Sequence, residues 1–93
     1  MSNKIQWRLD YTHRALKEFK KITDSAVKRN ISKLLSLLKD NPFQIPPYFE
    51  KLEGYKNRYS RRINIKHRLV YEVFIVENTV SIVSLWGHYD DNG

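Results

Sequence analysis

Residues 59–73 read Tyr-Ser-Arg-Arg-Ile-Asn-Ile-Lys-His-Arg-Leu-Val-Tyr-Glu-Val, and no other stretch restricts the fold so tightly. Ile63, Ile65, Leu69, Val70, Tyr71 and Val73 favour a pleated surface that is buried on at least one face. The stretch reads as two strands joined by a short polar turn. It also carries Arg61, Arg62, Lys66 and Arg68, and His67 adds a fifth cation when protonated. Arginines in strands are costly to bury unless an anion meets them. A sheet that presents fixed arginines is therefore a platform for phosphates.

The remainder supplies what such a hairpin needs to pack against. Residues 4–10 alternate, with Ile5, Trp7 and Leu9 on one face and Lys4, Gln6, Arg8 and Asp10 on the other, as in a half-buried strand. Thr12 is a helix N-cap candidate. After it, Ala15, Leu16, Phe19 and Ile22 recur at helical spacing from His13 to Ile22. Thr23-Asp24-Ser25 offers a second cap. A longer helix then spans about 26–39, with an apolar stripe of Val27, Ile31, Leu34, Leu35 and Leu38. Asn41-Pro42 ends it, because the residue before proline is pushed out of the helical region.

An extended connection through Pro46-Pro47 leads to Phe49–Gly54, read as a short strand or a loop. Residues 55–58 form a polar turn into the hairpin. Phe74-Ile75-Val76 prolong its second strand, Glu77-Asn78 turn, and Thr79–Leu85 make a last strand. An acidic, frayed tail is expected over 90–93. The order β-α-α-β-β-β predicts an α+β fold over residues 1–93. In it an N-terminal strand and a helical hairpin pack on one face of a mainly antiparallel sheet, and the other face stays partly open.

Size and charge narrow the function. A chain of 93 residues makes one domain, and 41% hydrophobic residues allow a small core. With no cysteine, thiolate and disulfide chemistry are excluded. No apolar run approaches the ~20 residues of a membrane span, so a soluble cytoplasmic protein without membrane contact is expected. The net charge of +7 favours a polyanionic partner: nucleic acid, ribosome or an acidic protein.

Glycine-rich phosphate loops, metal-spaced His/Asp clusters and nucleophile elbows are all lacking, so no cofactor or metal is expected. What remains is acid–base chemistry beside fixed positive charge. The candidates are Glu50, Arg62, Arg68, His88 and Tyr89, supported by Lys51 and Arg61. RNA cleavage through the 2′-oxygen needs only a base, cations for the phosphorane-like transition state and an acid for the leaving 5′-oxygen. RNA supplies its own nucleophile.

Strand parity sets conditions on this cluster. Arg62 and Arg68 share a face only if the hairpin loop is odd and centred on Ile65. Arg68 and His88 are cross-strand neighbours only with an odd turn near Asn78 or a bulge, for which Gly87 is a candidate. Structural ion pairs of the arginines with Glu72 or Glu50 are the plainer alternative. On spacing alone a non-catalytic RNA-binding or ribosome-binding module competes with a nuclease.

Glu50-Lys51-Leu52, then Tyr59-Ser60-Arg61-Arg62-Ile63-Asn64, then His67-Arg68-Leu69-Val70-Tyr71 and a closing His88-Tyr89 together resemble the YoeB/Txe toxins. These belong to the RelE superfamily of type II toxin–antitoxin systems. The resemblance implies a RelE-like fold and a ribosome-dependent mRNA endoribonuclease that cuts codons in the A site. By position Glu50 would be the general base and His88 the general acid. Arg62 and Arg68 would stabilise the phosphate, and Tyr89 would orient the substrate. Lys51, Lys56, Arg58 and Arg61 would add contacts to RNA. The products would carry a 2′,3′-cyclic or 3′-phosphate.

The implied partners are the ribosome with its mRNA and an antitoxin of the YefM/Phd type, whose acidic segment would cover the basic site. The complex of the two would act on operator DNA. A monomer or weak homodimer is expected for the free toxin. The chain departs from the family in carrying Glu53 where a lysine is common, in a shorter 54–59 loop, and in residues 90–93 beyond Tyr89.

Overall fold

Two polar side chains start the helices. The Thr12 hydroxyl accepts from the Ala15 N–H at 3.0 Å and donates to the Val83 carbonyl at 2.8 Å. It thus caps the first helix, α1 (His13–Lys21), and ties it to a distant strand. Asp24 accepts from the Ala26 and Val27 N–H groups and opens α2 (Ser25–Asp40). At the end of α2 the Asn41 N–H returns to the Leu37 carbonyl, and Pro42 stops further winding. The structure is a computed structural model that describes residues 6–88, with side chains through Trp86. The expected start of the first strand at 4–5 and the tail at 90–93 lie outside the described residues.

The strands are β1 (Arg8–Tyr11), β2 (Glu50–Lys51), β3 (Arg58–Arg62), β4 (His67–Phe74) and β5 (Thr79–His88). They form one sheet in the order β1-β5-β4-β3-β2. Neighbours are antiparallel except β1 and β5, which run parallel with Arg8 opposite Thr79 and Tyr11 opposite Ile82. A parallel pair needs a crossover, and the two helices provide it. They cover one face, so the expected α+β arrangement holds.

The core lies between that face and the helices. Ile31, Leu34 and Leu38 of α2 and Ala15 of α1 are buried together with Leu69, Tyr71, Val73, Val80, Ile82 and Leu85 of the sheet. The α2 stripe follows its sequence period. The α1 stripe does so only in part. Ala15 and Ile22 are buried, whereas Leu16 is 49% exposed and Phe19 38% exposed.

Glu18 accounts for the rotation of α1. One carboxylate oxygen accepts from the Leu85 N–H at 2.9 Å, the Trp86 N–H at 3.2 Å and the Ser84 hydroxyl at 3.2 Å. The other accepts from Arg14 at 3.0 Å. β1 ends opposite Ile82, so β5 runs on with unpaired N–H groups, and Glu18 satisfies two of them. Burial opposes ionisation of Glu18. The Leu85 N–H, Arg14 and Ser84 outweigh it and hold the carboxyl below the usual range.

Candidate active site

The register of the central hairpin decides what its arginines face. Arg62 stands opposite Arg68 and Ile63 hydrogen-bonds His67, so residues 63–67 form an odd loop centred on Ile65. Asn64 Oδ1 organises that loop by accepting from the Lys66 and His67 N–H groups. Parity then places Arg62, Arg68 and Ser60 on the face away from the helices. On the edge strand Glu50 pairs with Ser60 and joins the same face.

These side chains, with Pro47 and Tyr48, line an open cleft of about 260 Å³. Arg68 Nη1 lies 3.6 Å from Glu50 Oε1, longer than a strong charge-assisted hydrogen bond. Arg62 is exposed, and among the described residues no carboxylate pairs with it. Ser60 Oγ is buried in the cleft wall without a hydrogen-bond partner among the described residues. A carboxylate thus stands among guanidinium groups, an arrangement chemically able to accept a proton beside a place for an anion. Among the described residues no three His, Asp or Glu side chains gather as a metal site requires.

Arg61 is a correction. Expected to face RNA, it is 1% exposed and points to the opposite side of β3. Its guanidinium donates to the carbonyls of Pro47 at 2.6 Å, Pro42 at 2.9 Å and Gln44 at 3.0 Å, and its Nε to the Tyr71 hydroxyl at 3.1 Å. It lies 4.8 Å from the Phe49 ring centre. Carbonyl dipoles, not an anion, answer the cost of burying its charge. Burial raises the Tyr71 hydroxyl above the usual tyrosine range, against the pull of Arg61, and the hydroxyl in turn donates to Pro42 at 3.0 Å. Arg61 thereby holds the loop that leads into Glu50. The signal was available in the sequence: if Arg62 and Arg68 share the open face, Arg61 must share the covered one with Leu69 and Tyr71.

The other residues expected to touch RNA also stand outside the cleft lining. Lys51 donates to the carbonyls of Tyr55 at 3.0 Å and Lys56 at 2.9 Å, closing the 51–56 loop. Lys56 is exposed on that loop. Arg58 pairs with Glu72 at 2.7 Å and stacks 4.0 Å over Tyr55. Of the ion pairs anticipated for Arg62 and Arg68, that of Arg68 with Glu50 is present at 3.6 Å, whereas Glu72 pairs with Arg58 instead. His67 stacks on Trp86 at 3.4 Å between ring centres, in keeping with a structural role.

β5 brings His88 to this end of the sheet by an unexpected route. Its turn after β4 spans residues 75–78, an even count, with Asn78 in the left-handed region at φ 54°. The register then shifts twice, between Tyr71 and Val70 and between Val70 and Arg68. Gly87, expected at a bulge, pairs with Arg68, and His88 pairs with His67. Direct pairing of Arg68 with His88 does not occur. The His88 side chain and Tyr89 lie outside the described residues.

Comparisons with known proteins agree with this geometry. Residues 6–89 match the family model described as the YoeB-like toxin of bacterial type II toxin-antitoxin systems. The YoeB dimer from Staphylococcus aureus is 31% identical over 89% of this chain and 98% of its own, with a TM-score of 0.78. The YoeB–YefM complex of the same organism gives 30% identity, 89% and 98% coverage and a TM-score of 0.75. The intact E. coli RelBE toxin–antitoxin complex gives 28%, 89%, 98% and 0.69. No match was found among curated protein sequences. The fold, the cleft and the match over residues 6–89 converge, and the chain belongs to the family of YoeB-like toxins of bacterial type II toxin–antitoxin systems.

Proposed function

We propose that this toxin is an endoribonuclease that cuts mRNA on the ribosome, within codons held in the A site. The observation that carries the proposal is the meeting of Glu50, Arg62 and Arg68 in one open cleft. Glu50 takes the proton from a ribose 2′-hydroxyl. The freed oxygen attacks the adjacent phosphorus, and the bond from phosphorus to the 5′-oxygen breaks. Arg62 and Arg68 face the charge that builds on the phosphoryl oxygens. His88 returns a proton to the departing 5′-oxygen, and Tyr89 orients the substrate. The fragments end in a 2′,3′-cyclic phosphate and a 5′-hydroxyl, with later opening to a 3′-phosphate.

The same cleft suits inhibition. The relatives include a YoeB–YefM complex and a YoeB dimer. By analogy, an antitoxin of YefM type covers the arginines with an acidic segment, the complex of the two binds operator DNA, and the free toxin pairs with a second copy. The setting is the cytoplasm, and no described helix is long and apolar enough to cross a membrane. The net charge of +7 favours a second reading, a basic module that blocks the ribosome without cutting.

Mapping mRNA 5′ ends after brief induction separates the two. New ends inside translated codons are expected from the wild type. Glu50→Gln should lower cleavage by about 10²–10⁴-fold, the usual worth of a general base. If Glu50→Ala, Arg68→Ala and His88→Ala remain as toxic as wild type, the assignment fails. If translation stalls without new 5′ ends, the binding module is the better account.

A further inference from the structure

Among the described residues Tyr48 is the one aromatic residue of the cleft, and core packing does not explain it. It is 74% exposed, and among the described residues no ring packs on it. Its neighbour behaves in the opposite way. Phe49 lies 6.2 Å from Phe43 and 5.7 Å from Tyr59, with the Arg61 guanidinium 4.8 Å from its centre. On the other side, Pro47 gives its carbonyl to Arg61 at 2.6 Å. The tyrosine is therefore held at the cleft wall by anchored residues before and after it.

Exposure of a single aromatic proves nothing, because isolated exposed rings are common. The surroundings carry the argument. Arg62 and Arg68 alone would receive any anion. A flat, exposed ring beside them selects an anion that carries an aromatic base, and a nucleotide joins both within one residue. A ring on a fixed backbone also loses little freedom when a base stacks on it. A second, independent observation points to a ligand in the same place. Ser60 is 1% exposed, lines the cleft, and its hydroxyl has no partner among the described residues. An unmet buried hydroxyl is unfavourable, and a ligand oxygen would satisfy it.

We propose that Tyr48 is the stacking wall of a nucleotide subsite beside the phosphate clamp. The proposal rests on the RNA-cleaving reading above and extends it. Stacking tolerates every base, so the subsite supplies affinity and positioning and leaves codon choice to other contacts.

The test measures binding of an uncleavable trinucleotide with a 2′-deoxyribose at the scission position. Inorganic phosphate serves as the control ligand, and both are applied to the full chain. Tyr48→Ala should weaken trinucleotide binding about tenfold to a hundredfold, the range for losing one base–aromatic stack, and leave phosphate binding unchanged. Tyr48→Phe should bind as wild type. The unfolding midpoint should stay constant in both variants, since the ring lies outside the core. Wild-type trinucleotide affinity in Tyr48→Ala overturns the subsite, and if the wild type still cuts mRNA in translated codons, the nuclease reading survives that loss. A trinucleotide affinity that depends on Tyr48, in a wild-type protein that cuts no mRNA, supports the subsite and removes the nuclease.

Discussion

Arg61 and Arg62 are consecutive, yet one peptide bond separates two solutions to the same electrostatic problem. Arg61 enters the covered face, where three carbonyls and a tyrosine hydroxyl receive its guanidinium. Arg62 stays on the open face and lines the cleft. The sheet's alternation assigns the roles, since successive side chains leave a strand on opposite sides. Similar charge therefore stabilises a loop on one face and stands open in a cleft on the other. The faces also differ in what they tolerate. A buried cation cannot be removed without orphaning its acceptors, whereas an exposed one returns to water.

Paired substitutions put this contrast at risk. Arg61→Met should lower the free energy of unfolding by about 3 kcal/mol or more, because several buried oxygens lose a charged donor together. Arg62→Met should stay within about 0.5 kcal/mol of wild type in the same urea titration. Equal losses would abolish the distinction between the faces.

Glu18 sharpens it from the covered side. Glu18→Gln keeps an acceptor oxygen but loses the charge, and should cost about 1–2 kcal/mol at neutral pH. The carboxyl is held below its unfolded value, so its contribution is present above the ordinary carboxylate range. It is lost as pH falls through the lowered folded value. Unfolding midpoints of the wild type should therefore drop faster than those of Glu18→Gln below about pH 4.5, the ordinary carboxylate value. Parallel pH profiles would remove Glu18 from its proposed place in stability.

The smallest effect belongs to the open face. Arg58 and Glu72 meet at 2.7 Å, but their side chains remain 25% and 21% exposed. A double-mutant cycle should return less than about 1 kcal/mol of coupling. A larger value would show that ion pairs on this face also carry the fold.

Local features were the most legible part of the sequence. Thr12 and Asp24 cap where the polar-to-apolar change suggests, and α2 buries Ile31, Leu34 and Leu38 as its period demands. Strand parity makes an odd loop the condition for uniting Arg62 with Arg68, and the loop is odd. Long-range facts were harder to see. Nothing local in Arg8–Tyr11 announces a parallel partner at Thr79–Ile82. The two register shifts fall around Val83 and Leu85, neither a glycine nor a proline, whereas Gly87 pairs regularly. Leu16 and Phe19 match a helical stripe, but the anchoring of Glu18 to β5 rotates α1 away from it. Arg61 was misplaced for another reason. Its residue type suggested a ligand, and only its position against Leu69 and Tyr71 revealed a structural cation.

The interior place of β5 bears on how the molecule is made. Chains grow from the N-terminus, and β5 is the last of the described strands, yet it lies between β1 and β4. Before it emerges, β1 has no strand to pair with. Thr12 and Glu18 have nothing to hold, so α1 lacks its dock. Contacts of such long sequence separation form late and slowly. The sheet, and with it the alignment of Arg68 beside Gly87, is completed only when β5 is available to pair. Until β5 takes its place between β1 and β4, the surface that the two helices cover is incomplete, so the helices and the sheet finish together.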